Sequence, residues 1–441
     1  MHSAGPLPMQ FGASEPLHGT VRVPGDKSIS HRSLILAALA RGRSRIIGLS
    51  DGSDVAATRR ALAAMGARFT PEGADLLVDG VGTGALLQPE RALHMGNSGT
   101  SARLLAGLVA THPITATFTG DESLSRRPMK RIADPLRRLG AEIVAAPGDR
   151  LPMTVRGIAP AAPIVHRLAL PSAQVKSALL LAALNATGIS EVVEPVPTRD
   201  HLERMLPLFG AQVEVEGNRI RLLGQSLLRP AELFVPGDPS AAAFLAVAAL
   251  TVPGSELRIQ GVCVNPRRMG LFEALREMGG DIALEDGREV CGEPVADILV
   301  RHSALHGIDL SADRAPAMID EFPIFFIAAA FAQGTSRARG LAELRVKESD
   351  RLAAMAEGLA AIGTRVELEG DDLVVHGSGG VALAGGALIR PRLDHRIAMS
   401  FAVAGLRARQ PVGIDDMAAA DTSFPGFADL LARLGAKEEQ A

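Results

Sequence analysis

The chain has 441 residues, 47% of them hydrophobic and 22% charged, with a formal net charge of −3. That length exceeds what one hydrophobic core supports, so two domains of an ordinary soluble globular protein are expected. There is no basic surplus to suit nucleic acid or a membrane surface, and the absence of Trp and Tyr removes the usual base-stacking platforms and Tyr as a general acid.

The opening residues 1–11 carry neither a basic segment nor an apolar stretch of signal type, and no apolar run reaches the ~18 to 20 residues of a membrane span. Cys263 and Cys291 sit in no metal or redox spacing. They read as buried or semi-buried thiols of a reducing compartment, so a cytoplasmic protein is expected.

Two patterns alternate along the chain. The first is a run of small apolar residues behind a polar cluster: SHRSLILAALARG from Ser30, NSGTSARLLAGLVA from Asn97, PSAQVKSALLLAALNATG from Pro171, PGDPSAAAFLAVAALTVPG from Pro236, IDEFPIFFIAAAFAQG from Ile319 and DHRIAMSFAVAGLRA from Asp394. Each has the length of a three- to four-turn helix and is apolar all round, which predicts a helix buried on every side. The second is an amphipathic stretch closed by a bulky residue and a glycine, then a β-former. Its glycines are Gly66, Gly140, Gly210, Gly279, Gly363 and Gly435, which lie 69 to 84 residues apart. This spells a surface helix stopped by a left-handed glycine, then a strand. Fixed-period self-similarity marks a repeat architecture, and this period is long enough for a small α/β unit with two helices and several strands.

The frame VPGD-x-S occurs at Val23 and again 212 residues later at Val235, close to half the chain. Two matching Pro-Gly punctuations predict two similar domains, with the chain crossing between them there. One is continuous over residues 25–237; the other joins residues 1–24 to 238–441; three repeats fall in each.

The buried helices open with polar residues, as befits helix N-termini aimed at anions. Lys27, Ser28 and Arg32 combine cations, a hydroxyl and backbone N–H groups, a set that suits phosphate or carboxylate and equally a capped helix with a solvated lysine. This is not a Walker A loop, because GxxxxGK[ST] is absent. Gly99, in Asn97-Ser98-Gly99-Thr100-Ser101-Ala102-Arg103, lets an anion approach the backbone, or the segment is a plain cap. Arg126, Arg127, Lys130 and Arg131 read as a solvated face, or, with Pro128 starting a helix, as a basic N-terminus at Arg127. Ser172-Ala173-Gln174 opens the third buried helix, and Thr198-Arg199-Asp200-His201 the surface helix after it. Asp320-Glu321 is an acidic pair at the lip of a very apolar helix, a costly place unless paired or functional. Lys347 and Arg351 read as i, i+4 on one helix face, holding an anion or forming a lattice with Glu348 and Asp350. Asp394-His395-Arg396 opens the last buried helix. Together these clusters suit a substrate carrying phosphate and carboxylate groups, bound in a cleft between two three-fold domains and closed in by domain movement.

The segments PGDKSISHR, GNSGTSARL, RRPMKRI, PSAQVKSALL, MIDEFPI, RVKESDRL, DHRIAMSFAVAGL and TSFPGF resemble those of the EPSP synthase (3-phosphoshikimate 1-carboxyvinyltransferase) family, from about Leu17 to Leu434. The resemblance implies an α/β (α+β) fold of two similar domains, each of three βαβαββ units with pseudo-three-fold symmetry and buried helices, joined by two crossovers. It implies transfer of the enolpyruvyl group of phosphoenolpyruvate to the 5-hydroxyl of shikimate 3-phosphate by addition and elimination, a step toward chorismate and the aromatic amino acids. Carried over residue by residue, Lys27, Ser28, Arg32, Ser172, Gln174, Arg199, Asp320 and Lys347 would hold shikimate 3-phosphate. Lys27, Gly99, Arg127, Gln174, Arg351 and Arg396 would hold phosphoenolpyruvate, a pocket for which glyphosate competes in the family. Asp320 would act as base on the hydroxyl, with Lys27 and Glu348 as proton donors to carbon. No metal or organic cofactor is implied, and a monomer with two small-molecule substrates, no nucleic acid and no membrane is expected.

The chain departs from the family pattern at three places. Ala173 stands where many members have Ser, Leu104 where many have Pro, and Asp421-Thr422-Ser423 replaces a late Lys, which removes one contact to departing phosphate. The sister enolpyruvyltransferase acting on UDP-N-acetylglucosamine usually has Lys-Asn where this chain has Lys27-Ser28, and a loop Cys that neither Cys263 nor Cys291 matches. A repeat-built binding module would not need Asp320 and Glu348, and an RNA-processing enzyme should show a basic surplus.

Overall fold

The computed structural model describes residues 6–440. The chain forms two compact units, one of Met1–Pro24, Gly237–Arg288 and Pro294–Ala441, the other of Gly25–Pro236 and Glu289–Glu293.

All six periodic glycines adopt positive φ: +104° at Gly66, +107° at Gly140, +81° at Gly210, +93° at Gly279, +88° at Gly363 and +116° at Gly435. A side chain is disfavoured in that region, so glycine ends the helix there and releases the chain into an extended direction. The strands Arg68–Glu72, Glu142–Ala146, Val213–Glu216, Asp281–Val290, Arg365–Glu369 and Lys437–Gln440 follow in turn.

The buried helices are Lys27–Leu39, Gly99–Val109, Ala173–Ala183, Pro239–Thr251, Phe322–Phe331 and His395–Gly405. Asp26, Ser98, Ser172, Asp238 and Asp394 cap five of them through their side chains, each satisfying an otherwise unbonded first-turn N–H. Small residues bring the backbones together. A Cβ built on Gly107 would stand 2.2 Å from the carbonyl oxygen of Ala178, so the helices Gly99–Val109 and Ala173–Ala183 touch backbone to backbone.

Among the described residues, six four-stranded sheets share one plan. In one, Leu93–His94 runs parallel to Thr115–Thr119, which pairs antiparallel with Arg150–Arg156, itself antiparallel to Glu142–Ala146. With the two helices between strands, each repeat reads βαβαββ. The N-terminal strands belong to the unit that holds the C-terminus. Met9–Gly12 lies antiparallel between Val412–Ile414 and Lys437–Gln440, and His18–Val21 runs parallel to Glu256–Cys263. In the other unit Glu232–Phe234 supplies the edge strand beside Arg41–Ile47.

Candidate active site

In the Gly25–Pro236 unit, Asp26 accepts from the Ile29 N–H at 2.8 Å and sets the first turn from which Lys27, Ser28 and Arg32 project. Lys27 Nζ lies 3.2 Å from Asp54 Oδ2. Arg32 is buried; its Nη1 donates to the Ser28 carbonyl at 2.8 Å and its Nη2 to Ser177 Oγ at 2.7 Å. Ser177 belongs to the helix capped by Ser172, whose Oγ accepts from the Val175 N–H at 3.3 Å. From the same first turn, Gln174 Nε2 donates to Thr100 Oγ1 at 2.9 Å, and its Oε1 accepts from Arg103 Nη1 at 2.7 Å. Ser101 Oγ in turn donates to the Asp54 carbonyl at 3.2 Å. One chain of bonds therefore joins the starts of the Lys27, Gly99 and Ala173 helices.

Arg127 is buried and donates through Nη2 to Asn97 Oδ1 and, at 3.0 Å, to Ser123 Oγ; Asn97 Nδ2 donates to Asp121 Oδ2 at 2.8 Å. Arg127 does not begin a helix. Asp121 caps a short helix Glu122–Arg126, Arg127 is extended at its end, and the next helix runs Lys130–Leu139. Pro128 imposes this, since the residue before a proline avoids the helical region. Gly99 is the first residue of its helix, and a Cβ there would lie 2.9 Å from Arg103 Nη1 and 3.2 Å from Arg127 Nη1. Two guanidinium groups thus border the space beside Gly99.

His31 is fully buried, with Nδ1 2.8 Å from Thr58 Oγ1. Burial, then the charges of Lys27 and Arg32, push its pKa well below the ordinary histidine value, so the ring is neutral. Arg199 is half-buried in the loop before the helix His201–Met205.

In the other unit Arg351 is the hub. Its Nε donates to Asp394 Oδ2 at 2.9 Å, Nη1 to Asp320 Oδ1 at 3.3 Å, and Nη2 to Glu348 Oε2. Lys347 Nζ reaches the same Asp320 Oδ1 at 3.3 Å, and Ser349 Oγ donates to Asp394 Oδ2 at 3.0 Å. Arg351 is 1% exposed and Asp394 0%. Burial opposes the charge on the guanidinium, but Asp394, Glu348 and Asp320 outweigh it and hold the proton more firmly than in a free arginine. Arg396 donates its backbone N–H to Asp394 Oδ1 at 3.0 Å, and its Nη1 lies 3.9 Å from Glu321 Oε1.

Lys347 and Arg351 do not share a helix face. A 3₁₀ turn covers Ala342–Val346, Lys347 is extended, and the helix starts only at Arg351 behind the Asp350 cap. Asp350 accepts from the Ala353 N–H at 3.0 Å, and that bond decides the boundary. The two cations meet on Asp320 through the loop instead.

Sequence reasoning passed over three participants. Arg103 lies one turn beyond Gly99, an i, i+4 spacing that could have marked it. Asp54 sits in the first turn of the helix Ser53–Ala64, with no local sign that Lys27 would reach it. Arg268 donates to Asp238 Oδ1 at 3.0 Å and to Ser240 Oγ at 2.9 Å from a segment with no motif of its own.

The sequence profile of EPSP synthase (3-phosphoshikimate 1-carboxyvinyltransferase) matches residues 12–431. The chain belongs to the EPSP synthase family. It is 59% identical over 437 residues to the 3-phosphoshikimate 1-carboxyvinyltransferase of Sphingopyxis alaskensis, covering 97% of this chain and 98% of that one. It is 56% identical over 441 residues to that of Rhodospirillum rubrum, covering 98% of each. The EPSP synthase of Acinetobacter baumannii superposes with a TM-score of 0.86 at 43% identity, over 98% of this chain and all of that one. The enolpyruvyl transferase NikO of Streptomyces tendae, 19% identical, shares the fold at a TM-score of 0.78 over 99% of each chain. These matches do not favour the UDP-N-acetylglucosamine alternative, and the family assigns the chain to the enzymes.

Proposed function

We propose that the chain transfers the enolpyruvyl group of phosphoenolpyruvate to shikimate 3-phosphate with the following division of work. Lys27, Ser28, Arg32, Ser172, Gln174, Arg199, Asp320 and Lys347 hold shikimate 3-phosphate. Lys27, Gly99, Arg127, Gln174, Arg351 and Arg396 hold phosphoenolpyruvate. Asp320 takes the proton of the 5-hydroxyl as its oxygen bonds to C2 of phosphoenolpyruvate, while C3 gains a proton from Lys27 or Glu348. The tetrahedral adduct then loses phosphate from C2 and a proton from C3, leaving the enol ether. Arginine side chains and helix N-termini offset the substrates' negative charge throughout.

The observation that carries this reading is the convergence of Lys347 and Arg351 on one oxygen of Asp320. A carboxylate gripped by two cations is held in one orientation, as a base acting on one particular hydroxyl must be. Arg351 also bonds Glu348, which places both candidate proton-handling carboxylates on a single rigid hub. Burial of Arg32 and Arg127 among fixed hydroxyl and amide partners supports their role as oriented anion ligands. A monomeric, cytoplasmic enzyme completes the proposal; the free thiols of Cys263 and Cys291 suit a reducing compartment.

The test is phosphate release from phosphoenolpyruvate by the purified chain, with each acceptor in turn. Release that depends on shikimate 3-phosphate is expected. Release that depends on UDP-N-acetylglucosamine, or on neither acceptor, would overturn the reading.

A further inference from the structure

Lys176 is an ionisable residue that no substrate role uses. It lies on the helix Ala173–Ala183, two residues beyond Gln174, and its side chain is 0% exposed. Its Nζ lies 2.8 Å from Glu194 Oε1 and 2.7 Å from Glu203 Oε1, both glutamates being buried. Such a cluster is expensive to bury, and replacing it with apolar residues would often cost nothing or even stabilise a protein.

The remaining bonds of the cluster converge on Thr198, the residue before Arg199. Lys176 Nζ donates to the Thr198 carbonyl at 3.4 Å. Glu194 Oε2 accepts from the Thr198 N–H at 3.1 Å and from the Thr198 hydroxyl. Glu194 is itself anchored, since its backbone N–H donates to the Asn218 carbonyl at 2.9 Å and its carbonyl accepts from Asn218 Nδ2 at 2.6 Å. Both polar groups of the Thr198 backbone are therefore fixed, one by Lys176 and one by the glutamate that Lys176 holds. The peptide that leads into Arg199 is tied to the helix turn that carries Ser172 and Gln174.

We infer that Lys176, through Glu194 and Thr198, is a positioning residue that fixes the Arg199 loop against the Gln174 helix start, and so sets affinity for shikimate 3-phosphate. This rests on Arg199 being a ligand of that substrate, as proposed above. Ligands on two separate elements give their full binding energy only if their spacing is set before the substrate arrives.

A double-mutant cycle on the full-length enzyme tests this, with shikimate 3-phosphate affinity read by titration calorimetry. Lys176→Met should weaken binding about ten- to hundredfold, the worth of one well-placed charge-assisted bond. Because Lys176→Met strands two buried glutamates, Lys176→Met/Glu194→Gln/Glu203→Gln is made alongside it as a neutral version that keeps the fold. In an Arg199→Ala background either variant should cause little further loss, because the positioned group is gone. Equal loss in both backgrounds would make Lys176 merely structural and overturn the inference, as would normal affinity in the folded triple variant. Normal affinity in Arg199→Ala alone would instead remove Arg199 from the site, and the inference with it.

Discussion

In both copies of the VPGD frame an aspartate caps a buried helix. Asp26 is followed by Lys27 and Arg32, whereas Asp238 is followed by thirteen buried residues without a cation. The cation beside the second cap, Arg268, comes from another segment and bonds Asp238 and Ser240 directly. The difference extends across the two units. Arg32, Arg103 and Arg127 are oriented by hydroxyl, amide and carbonyl oxygens, but Arg351 is oriented by three carboxylates. One repeated backbone thus carries two electrostatic designs. The bonds described orient the first three guanidinium groups through uncharged oxygens, whereas three carboxylates fix Arg351 in an ionic network.

Asp320→Asn gives the sharpest break in that comparison. Turnover should fall about 10²- to 10⁴-fold, the usual cost of losing a positioned base. Shikimate 3-phosphate binding should change far less. Near-normal turnover in a folded variant would take the base role away from Asp320.

Arg351→Met should act mainly on the fold. It leaves Asp394 buried without its guanidinium, which typically costs about 3 to 5 kcal/mol. Denaturant unfolding measures it, and a loss under about 1 kcal/mol would mean that the network is not the hub described.

Arg127→Ala, in the other design, should act on binding. The Michaelis constant for phosphoenolpyruvate should rise by the roughly 1.5 to 3 kcal/mol of a charge-assisted bond, while that for shikimate 3-phosphate moves much less. Equal effects on both would make Arg127 a structural residue.

His31 adds a pH signature to the same unit. Its proton affinity is lowered in the folded state by burial, Lys27 and Arg32, so the unfolded chain takes up this proton first as pH falls. Stability should therefore decline below about pH 6.5, by at most about 1.4 kcal/mol per pH unit from this group. His31→Gln should flatten that part of the stability–pH curve, and an unchanged curve would remove His31 as a cause.

The smallest effect is expected of Gly99→Ala. The new methyl meets the Arg103 and Arg127 guanidinium groups, whose flexible ends can move by a few tenths of an ångström. The phosphoenolpyruvate Michaelis constant should rise only severalfold, roughly 1 kcal/mol. It should rise no further when Arg127→Ala is already present. Additive effects would mean that the methyl meets the substrate itself.

The fold was readable because its signals are local. A positive-φ glycine, a capping aspartate and an all-apolar helix each declare themselves within a few residues, and the period repeats the message. Two boundaries escaped, at Arg127 and at Lys347, because Asp121 and Asp350 cap helices that the charge pattern alone does not delimit. The candidate ligands were legible as types at helix starts, but their partners were not. Asp54 lies 27 residues from Lys27, Asp394 lies 43 from Arg351 and Gln174 lies 71 from Arg103. The first pair closes within one repeat, and the packing of repeat against repeat brings the other two together.

The weaving of the N-terminus sets an order of assembly during synthesis. Residues 9–12 and 18–21 leave the ribosome ahead of the strands they pair with, Val412–Ile414, Lys437–Gln440 and Glu256–Cys263. The unit built on Gly25–Pro236 has nearly all of its chain in hand at the halfway point and can begin to consolidate then. In the other unit His18–Val21 waits for Glu256–Cys263, and Met9–Gly12 stays unpaired with its edges exposed until the last repeat is made. A nascent-chain crosslinking series should find residues 9–21 accessible to chaperones long after the middle of the chain has become protected.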